Sequence, residues 1–167
     1  MKIGKRVFIA STATIAGDVE IGDDSSVWFN AVIRADLNRV IIGERTNIQD
    51  NCVVHVDEDH SCIIGDMVTV GHSAVVHGAR IGDSVIVGTG AMVLDGAEVG
   101  SHTLIGAGSV VTGKKYPEGS LILGVPGKVI RELNKKEIEL IEKRWKDYCK
   151  LKEMYLQKSV KFLDQPK

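Results

Sequence analysis

Residues 81–111 read IGDSVIVGTGAMVLDGAEVGSHTLIGAGSVV, and every sixth residue from Ile81 to Val111 is Ile or Val. Gly often follows at once, as at Gly82, Gly88, Gly100 and Gly106. Outward from this stretch the same phase runs through Ile9, Ile15, Ile21, Val27 and Ile33, then Ile42, Ile48 and Val54, then Ile64, Val70 and Val76. All 17 positions are Ile or Val, at the cost of three phase shifts: three extra residues after Ile33, four after Val54, one fewer after Val76. Four positions past most of them stands a small residue: Ala13, Ser25, Ala31, Thr46, Cys52, Ala74, Ala91, Ala97, Thr103 and Ser109. A period of six cannot keep one face of a 3.6-residue helix apolar. It suits short strands joined by tight turns, with the large β-branched residue filling an interior, the small one at a crowded corner, and Gly easing the turn backbone.

Three such units close a triangular coil of about 18 residues, and coils stack at about 4.8 Å per rung. The 17 units therefore predict an all-β solenoid of nearly six coils. The pattern is the hexapeptide repeat and resembles the left-handed parallel β-helix family; the handedness is implied by that resemblance alone. The rhythm stops after Val111, and residues 114–119 and 123–127 read as turns. Asn134 with Glu137 three residues on forms a capping-box signature. Ile138, Ile141, Trp145 and Tyr148 follow at helical spacing, predicting a helix from about 135 to 158 folded back along the prism. The expected division is a β-helix domain over 1–127 and a C-terminal α-helical appendage over 128–167. The helix aromatics are expected to pack against the prism.

The repeat also serves as a ruler. Units three apart lie on the same side of the triangle, so the units starting at Ile33, Val54 and Val76 stack. The residues one past each start are Arg34, His55 and His77, which places them in one column. His55 and His77, 22 residues apart, are then close enough to share a metal. His72 is five residues before His77 on an extended path, about 15 Å away, and cannot join that pair within one chain. If prisms pack side by side, His72 of one reaches the pair of the next, and three such contacts close a trimer. Three His with an open fourth position is the coordination of a catalytic Zn²⁺-type site. His60 and His102 read as surface residues, and Cys52 sits at a small inward position.

The net charge of −1 is unevenly spread. Residues 128–167 hold 12 Lys/Arg against 7 Asp/Glu, a surplus of five, which leaves 1–127 at −6. The tail charges alternate in sign, the mark of a solvated helix face. An acidic prism with 5% aromatics gives no footprint for nucleic acid. The three Cys are scattered without a CxxC pair. No stretch has the length of a membrane span or the h-region of a signal peptide. A reduced, cytoplasmic protein is expected, with no membrane partner.

The motifs Arg34-Ala35-Asp36, Asn47-Ile48-Gln49-Asp50, His55 and His72-x4-His77 together resemble the γ-class carbonic anhydrases, over the whole chain including the C-terminal helix. The resemblance implies a homotrimer with three interface metal sites, each taking His55 and His77 from one subunit and His72 from its neighbour. The implied metal is Zn²⁺, or Fe²⁺ or Co²⁺ in its place. The implied reaction is reversible hydration of CO₂ to bicarbonate by a metal-bound hydroxide. By the same resemblance Gln49, Asn47 and Asp36 serve the catalytic hydrogen-bond network, and Arg34 and Asp50 form an inter-subunit ion pair. The family's Glu after Arg-x-Asp is here Leu37, followed by Asn38, and its acidic loop is reduced to Asp57-Glu58-Asp59-His60. His60 and Glu58 are the candidate proton shuttles, since an imidazole titrates in the right range. The competing readings are a hexapeptide acyltransferase or thioesterase acting on acyl-CoA, and a catalytically silent metal-held trimer. A lone catalytic base would not need three His at one interface.

Overall fold

A computed structural model describes residues 1–162. The chain winds as a parallel β-solenoid of short strands, most of two or three residues, with a single helix at the C-terminal end. One face is an eight-stranded sheet whose parallel rungs begin Phe8–Ile9, Ser26–Val27, Asn47–Ile48, Thr69–Val70 and continue to Ser120–Leu123. The other two faces merge into one eleven-stranded sheet, because Thr14–Ile21 and Val32–Ile42 run unbroken round the corner between them. Val32–Arg34 pairs with Val53–His55 on one face, while Val40–Ile42 pairs with Cys62–Ile64 on the next.

Fifteen of the 17 repeat positions are buried; Ile9 and Ile15, at the N-terminal end, are less covered. The small residues line the same core, and their hydroxyls stitch the corners: Ser25 Oγ donates to the Gly43 carbonyl and Thr46 Oγ1 to the Gly65 carbonyl, each at 2.7 Å. The solenoid runs past the repeat at both ends, to about seven turns. Lys2–Ile3 pairs with Glu20–Ile21 at the start. Tyr116 and Ile122 turn inward after Val111, 3% and 0% exposed. The count of nearly six coils covers only the Ile/Val positions; an aromatic at the first added position hides the continuation.

The glycines after the repeat residue play a different part from the one expected. Left-handed backbone recurs three past the repeat position, in one corner column at Arg6, Asp24, Arg45, Met67, Ser84 and His102 and in a second at Asn30, Asn51 and Ser73. Gly88 instead faces the next coil, where an added Cβ would meet Ala107 N at 2.5 Å and Ile105 O at 2.7 Å. Its role is clearance between coils rather than freedom of φ.

Strand Lys128–Glu132 folds back antiparallel on Ser120–Leu123, and the helix Lys135–Leu156 follows. The capping box forms as read, with Glu137 N donating to Asn134 Oδ1 and Asn134 N to Glu137 Oε2. Arg131 also grips Glu137, and the two contacts hold its carboxyl down at about 2. The helix lies along the eight-stranded face, pinned where Tyr148 and Tyr155 meet Trp28 with centroids 5.5 and 5.0 Å apart. Lys152, 1% exposed, joins it to the first coils through Asp24 at 3.1 Å. Among the described residues no helix is long and apolar enough to cross a membrane.

Candidate metal centre

The coil register places Arg34, His55 and His77 opposite one another on successive rungs, as the spacing requires. His55 Nδ1 lies 2.9 Å from His77 Nε2, with the ring centroids 4.9 Å apart. Each ring is held from its far side by a carboxylate. His55 Nε2 is 3.0 Å from Asp36 Oδ1, and His77 Nδ1 bonds Asp95 Oδ1. Hydrogen bonds from His55 and then Arg34 keep the Asp36 carboxyl below its ordinary range, so it remains an acceptor. Those bonds fix the tautomers: the N–H points at the acid, and a lone pair is left on His55 Nδ1 and on His77 Nε2. Two lone pairs facing each other across 2.9 Å repel unless a proton or a cation lies between them.

His72 sits on another corner, between the eight-stranded face and the His55/His77 face. Its Nδ1 is 2.8 Å from Asp50 Oδ2, and its Nε2 is 3.5 Å from the Tyr148 hydroxyl. The side chain is 49% exposed, so this third imidazole is presented outward. Asn47, Gln49 and His72 share one chain of bonds. Asn47 Nδ2 donates to Thr69 Oγ1, Gln49 Nε2 to Asn47 Oδ1, and His72 N to Gln49 Oε1. Both amides are buried and therefore fixed in rotamer. A recess of about 240 Å³ opens beside them, lined among others by Gln49, Thr69, His72 and Tyr148. Burial, and then Asp50, push the Tyr148 hydroxyl up, so it stays an O–H donor.

The structure thus gathers the site residues into two groups: Arg34, Asp36, His55 and His77 on one corner, Asn47, Gln49, Asp50 and His72 on the other. Asp36 does not join the Gln49–Asn47 network within one chain. Arg34 pairs with Asp36, and Asp50 with His72. The described residues of one chain contain no cluster of three or more His, Cys, Asp or Glu side chains able to hold a metal. The donor chemistry nonetheless fits a cation. All three imidazoles have one nitrogen anchored by a carboxylate and the other unengaged by any acid. Two nitrogens on a tetrahedral ion stand about 3.3 Å apart, so the 2.9 Å pair needs a shift of only a few tenths of an ångström. Cys52 and Cys62 are unsuited to the role, since burial pushes each thiol up to about 12.

All three phase shifts of the repeat fall at one corner, beside His55 and His77. The two insertions, 34–41 and 56–61, lean on each other where Asn38 Nδ2 donates to the Glu58 carbonyl. Leu37 is exposed on this lip. His60 stands there too, its Nδ1 3.0 Å from Asp57 and its backbone N–H on the same carboxylate. That bond raises the His60 imidazole above its ordinary value and lowers Asp57 below its own. The stabilising contribution of the raised His60 is lost as pH climbs through its folded value, and that of the lowered Asp57 as pH falls through its own. The pair is therefore at full strength between about pH 4 and 6.5.

Asp95 is the residue that sequence reading missed. Asp95 lies two past Val93 on the coil above His77, and because the register sets Leu94 opposite His77, counting alone does not show that the Asp95 side chain reaches back to the ring. Asp36 and Asp95 bracket the His pair from the coils below and above.

Comparison with known proteins places these residues in context. Residues 1–35 and 78–113 match the family "Bacterial transferase hexapeptide (six repeats)". A Methanocaldococcus jannaschii protein named "Probable carbonic anhydrase" is 56% identical over 152 residues, 90% of this chain and 96% of that one. "Gamma carbonic anhydrase 2, mitochondrial" of Arabidopsis thaliana is 41% identical across 98% of this chain, which spans 61% of the longer plant protein. Among solved structures, a hexapeptide transferase family protein from Anaplasma phagocytophilum superposes with a TM-score of 0.89 at 38% identity, covering 92% of both chains.

Proposed function

The chain belongs to the γ-class carbonic anhydrase family of hexapeptide-repeat proteins, and from that premise we propose that it hydrates CO₂ reversibly to bicarbonate at a divalent metal shared between neighbouring copies. The observation that carries this reading is the His55–His77 pair, two lone pairs facing each other with carboxylates behind both rings. His55 and His77 of one chain and His72 of its neighbour hold the ion, Zn²⁺ or Fe²⁺ or Co²⁺, in a homotrimer. When bound, such an ion supplies Lewis acidity sufficient to make a nucleophile of water at neutral pH.

The chain's own residues do the rest. Asp36, Asp95 and Asp50 keep each imidazole in its ligating tautomer. Gln49, held by Asn47 and by the His72 backbone, has one Nε2 hydrogen to spare for orienting CO₂ or bicarbonate in the recess. Arg34 of one chain and Asp50 of the next form the ion pair that locks the interface. Protons leave through His60, its Nε2 free because Asp57 holds Nδ1, with Glu58 as a second acceptor on the same lip. The free cysteines support a reducing, cytoplasmic setting.

Metal content of anaerobically purified protein, with stopped-flow CO₂ hydration on the same sample, is the test. One metal per chain with hydration well above buffer supports the proposal. Full metal without hydration would remove the reaction and favour the acyltransferase alternative, since the matched family and the superposed structure are both named transferases. Absence of metal would overturn both site and reaction. In the same assay, His60→Ala should keep its metal and lose about tenfold or more turnover in dilute buffer, restored by added imidazole. Unchanged turnover in dilute buffer would take His60 off the proton path.

A further inference from the structure

The hydrogen bonds beside His72 run in one direction and end on a proton that the chain does not use. The His72 backbone N–H can only donate, so the atom it meets at 3.1 Å must be the Gln49 oxygen. Gln49 Nε2 then donates to Asn47 Oδ1 at 3.1 Å, which turns the Asn47 nitrogen the other way. Asn47 Nδ2 gives one hydrogen to the Val68 carbonyl at 3.3 Å and the other to Thr69 Oγ1 at 2.9 Å. A flip of either amide would set donor against donor, so one backbone group fixes the whole run. The Thr69 oxygen is thereby an acceptor toward Asn47, and its own proton must be offered elsewhere.

Among the described residues Thr69 Oγ1 donates to none; its one side-chain bond is the one it accepts. Asn47 has both hydrogens and its oxygen engaged, so it relays orientation and offers nothing to a ligand. Gln49 keeps one Nε2 hydrogen, and Thr69 keeps its hydroxyl hydrogen. Gln49 and Thr69 are 4% and 3% exposed, and both line the recess of about 240 Å³ that also carries His72. Ile86 and Leu140 give that recess apolar walls. Two buried donors, held in direction and lacking an acceptor, call for one in the space they line, because buried polar groups are paired in native proteins.

We infer that the Thr69 hydroxyl is a second donor to bicarbonate, working beside Gln49 Nε2 in this recess. The inference rests on the carbonic anhydrase reading and names a residue that touches the substrate in it. An anion accepts from such donors more strongly than neutral CO₂ does, so the pair holds bicarbonate in preference to CO₂. Asn47 is then a positioning residue, standing behind the two groups that meet the ligand.

The test loads the full-length protein with Co²⁺ and follows its visible spectrum as bicarbonate or thiocyanate is added at constant ionic strength. Thr69→Val keeps the shape and removes the hydroxyl, while Thr69→Ser keeps the hydroxyl. Bicarbonate affinity should fall about tenfold in Thr69→Val, the loss of one hydrogen bond to an anion, and stay within about threefold in Thr69→Ser. Thiocyanate has no oxygen to accept from Thr69, so its affinity should be unchanged in both variants. Undiminished bicarbonate affinity in Thr69→Val, or an equal loss in Thr69→Ser, would overturn the donor and leave its proton to solvent. With parent hydration intact, the carbonic anhydrase reading would survive that result. Thiocyanate affinity falling together with bicarbonate would overturn the direct contact and reduce Thr69 to a prop for Asn47. No bound Co²⁺, or no response to either anion in the parent protein, would overturn the carbonic anhydrase reading and this inference with it.

Discussion

His72→Ala should empty every metal site of the proposed trimer and reduce CO₂ hydration on the order of 10³-fold or more, with little change in thermal stability. The side chain is half exposed, and its backbone bonds do not depend on the imidazole, so the cost to folding should stay within about 1 kcal/mol. His77→Ala should give the same loss by removing one of the facing pair. The informative experiment mixes the two. A site between chains needs His55 and His77 from one subunit and His72 from the next, so a His72→Ala chain facing a His77→Ala chain still builds an intact site. Random assembly of equal amounts gives about one competent site in four, by the symmetry of a cyclic trimer. A site confined to one chain gives none. Metal content and activity recovering toward a quarter of the parent on co-refolding is the expected result. Recovery of nothing, with trimers confirmed, would sink the shared site.

Much of this geometry is legible in the sequence because a solenoid converts spacing into height. Once Ile33, Val54 and Val76 are taken as equivalent, the contact between His55 and His77 follows by counting, and the register bears it out. The fate of His72 is half legible: spacing removes it from the pair, but its grip by Asp50 and its approach to Tyr148 depend on the corner backbone and the docked helix. Tyr116 obscured the sixth and seventh turns because the interior accepts an aromatic where the pattern prescribes Ile or Val. The seam around Trp145, between the helix and the first coils, could not be read at all. It brings Arg45 against a helix 100 residues later, and no periodicity encodes how that helix settles on Trp28 and Phe8.

Asp95→Asn should weaken metal binding by about 10- to 100-fold, measured by chelator competition, while leaving the fold intact. Asp95 is half exposed and bonds His77 Nδ1 through its carboxylate; the amide keeps the shape and loses the charge that makes His77 Nε2 a strong donor. Asp36→Asn is a useful contrast. Its carboxylate is divided between His55 and Arg34, so the change frees Arg34 as well and should also disturb the interface. The seat of Asp95 is itself built in. A Cβ on Gly78 would meet Asp95 Oδ1 at 2.5 Å and the His60 Cβ at 2.9 Å, so Gly78 leaves room for both at the corner where the repeat skips a residue. Gly78→Ala should therefore reproduce part of the affinity loss with the carboxylate still present. Wild-type metal affinity in Asp95→Asn would show that the short contact to His77 is not what orients the ring, and that the His pair is held by its column alone.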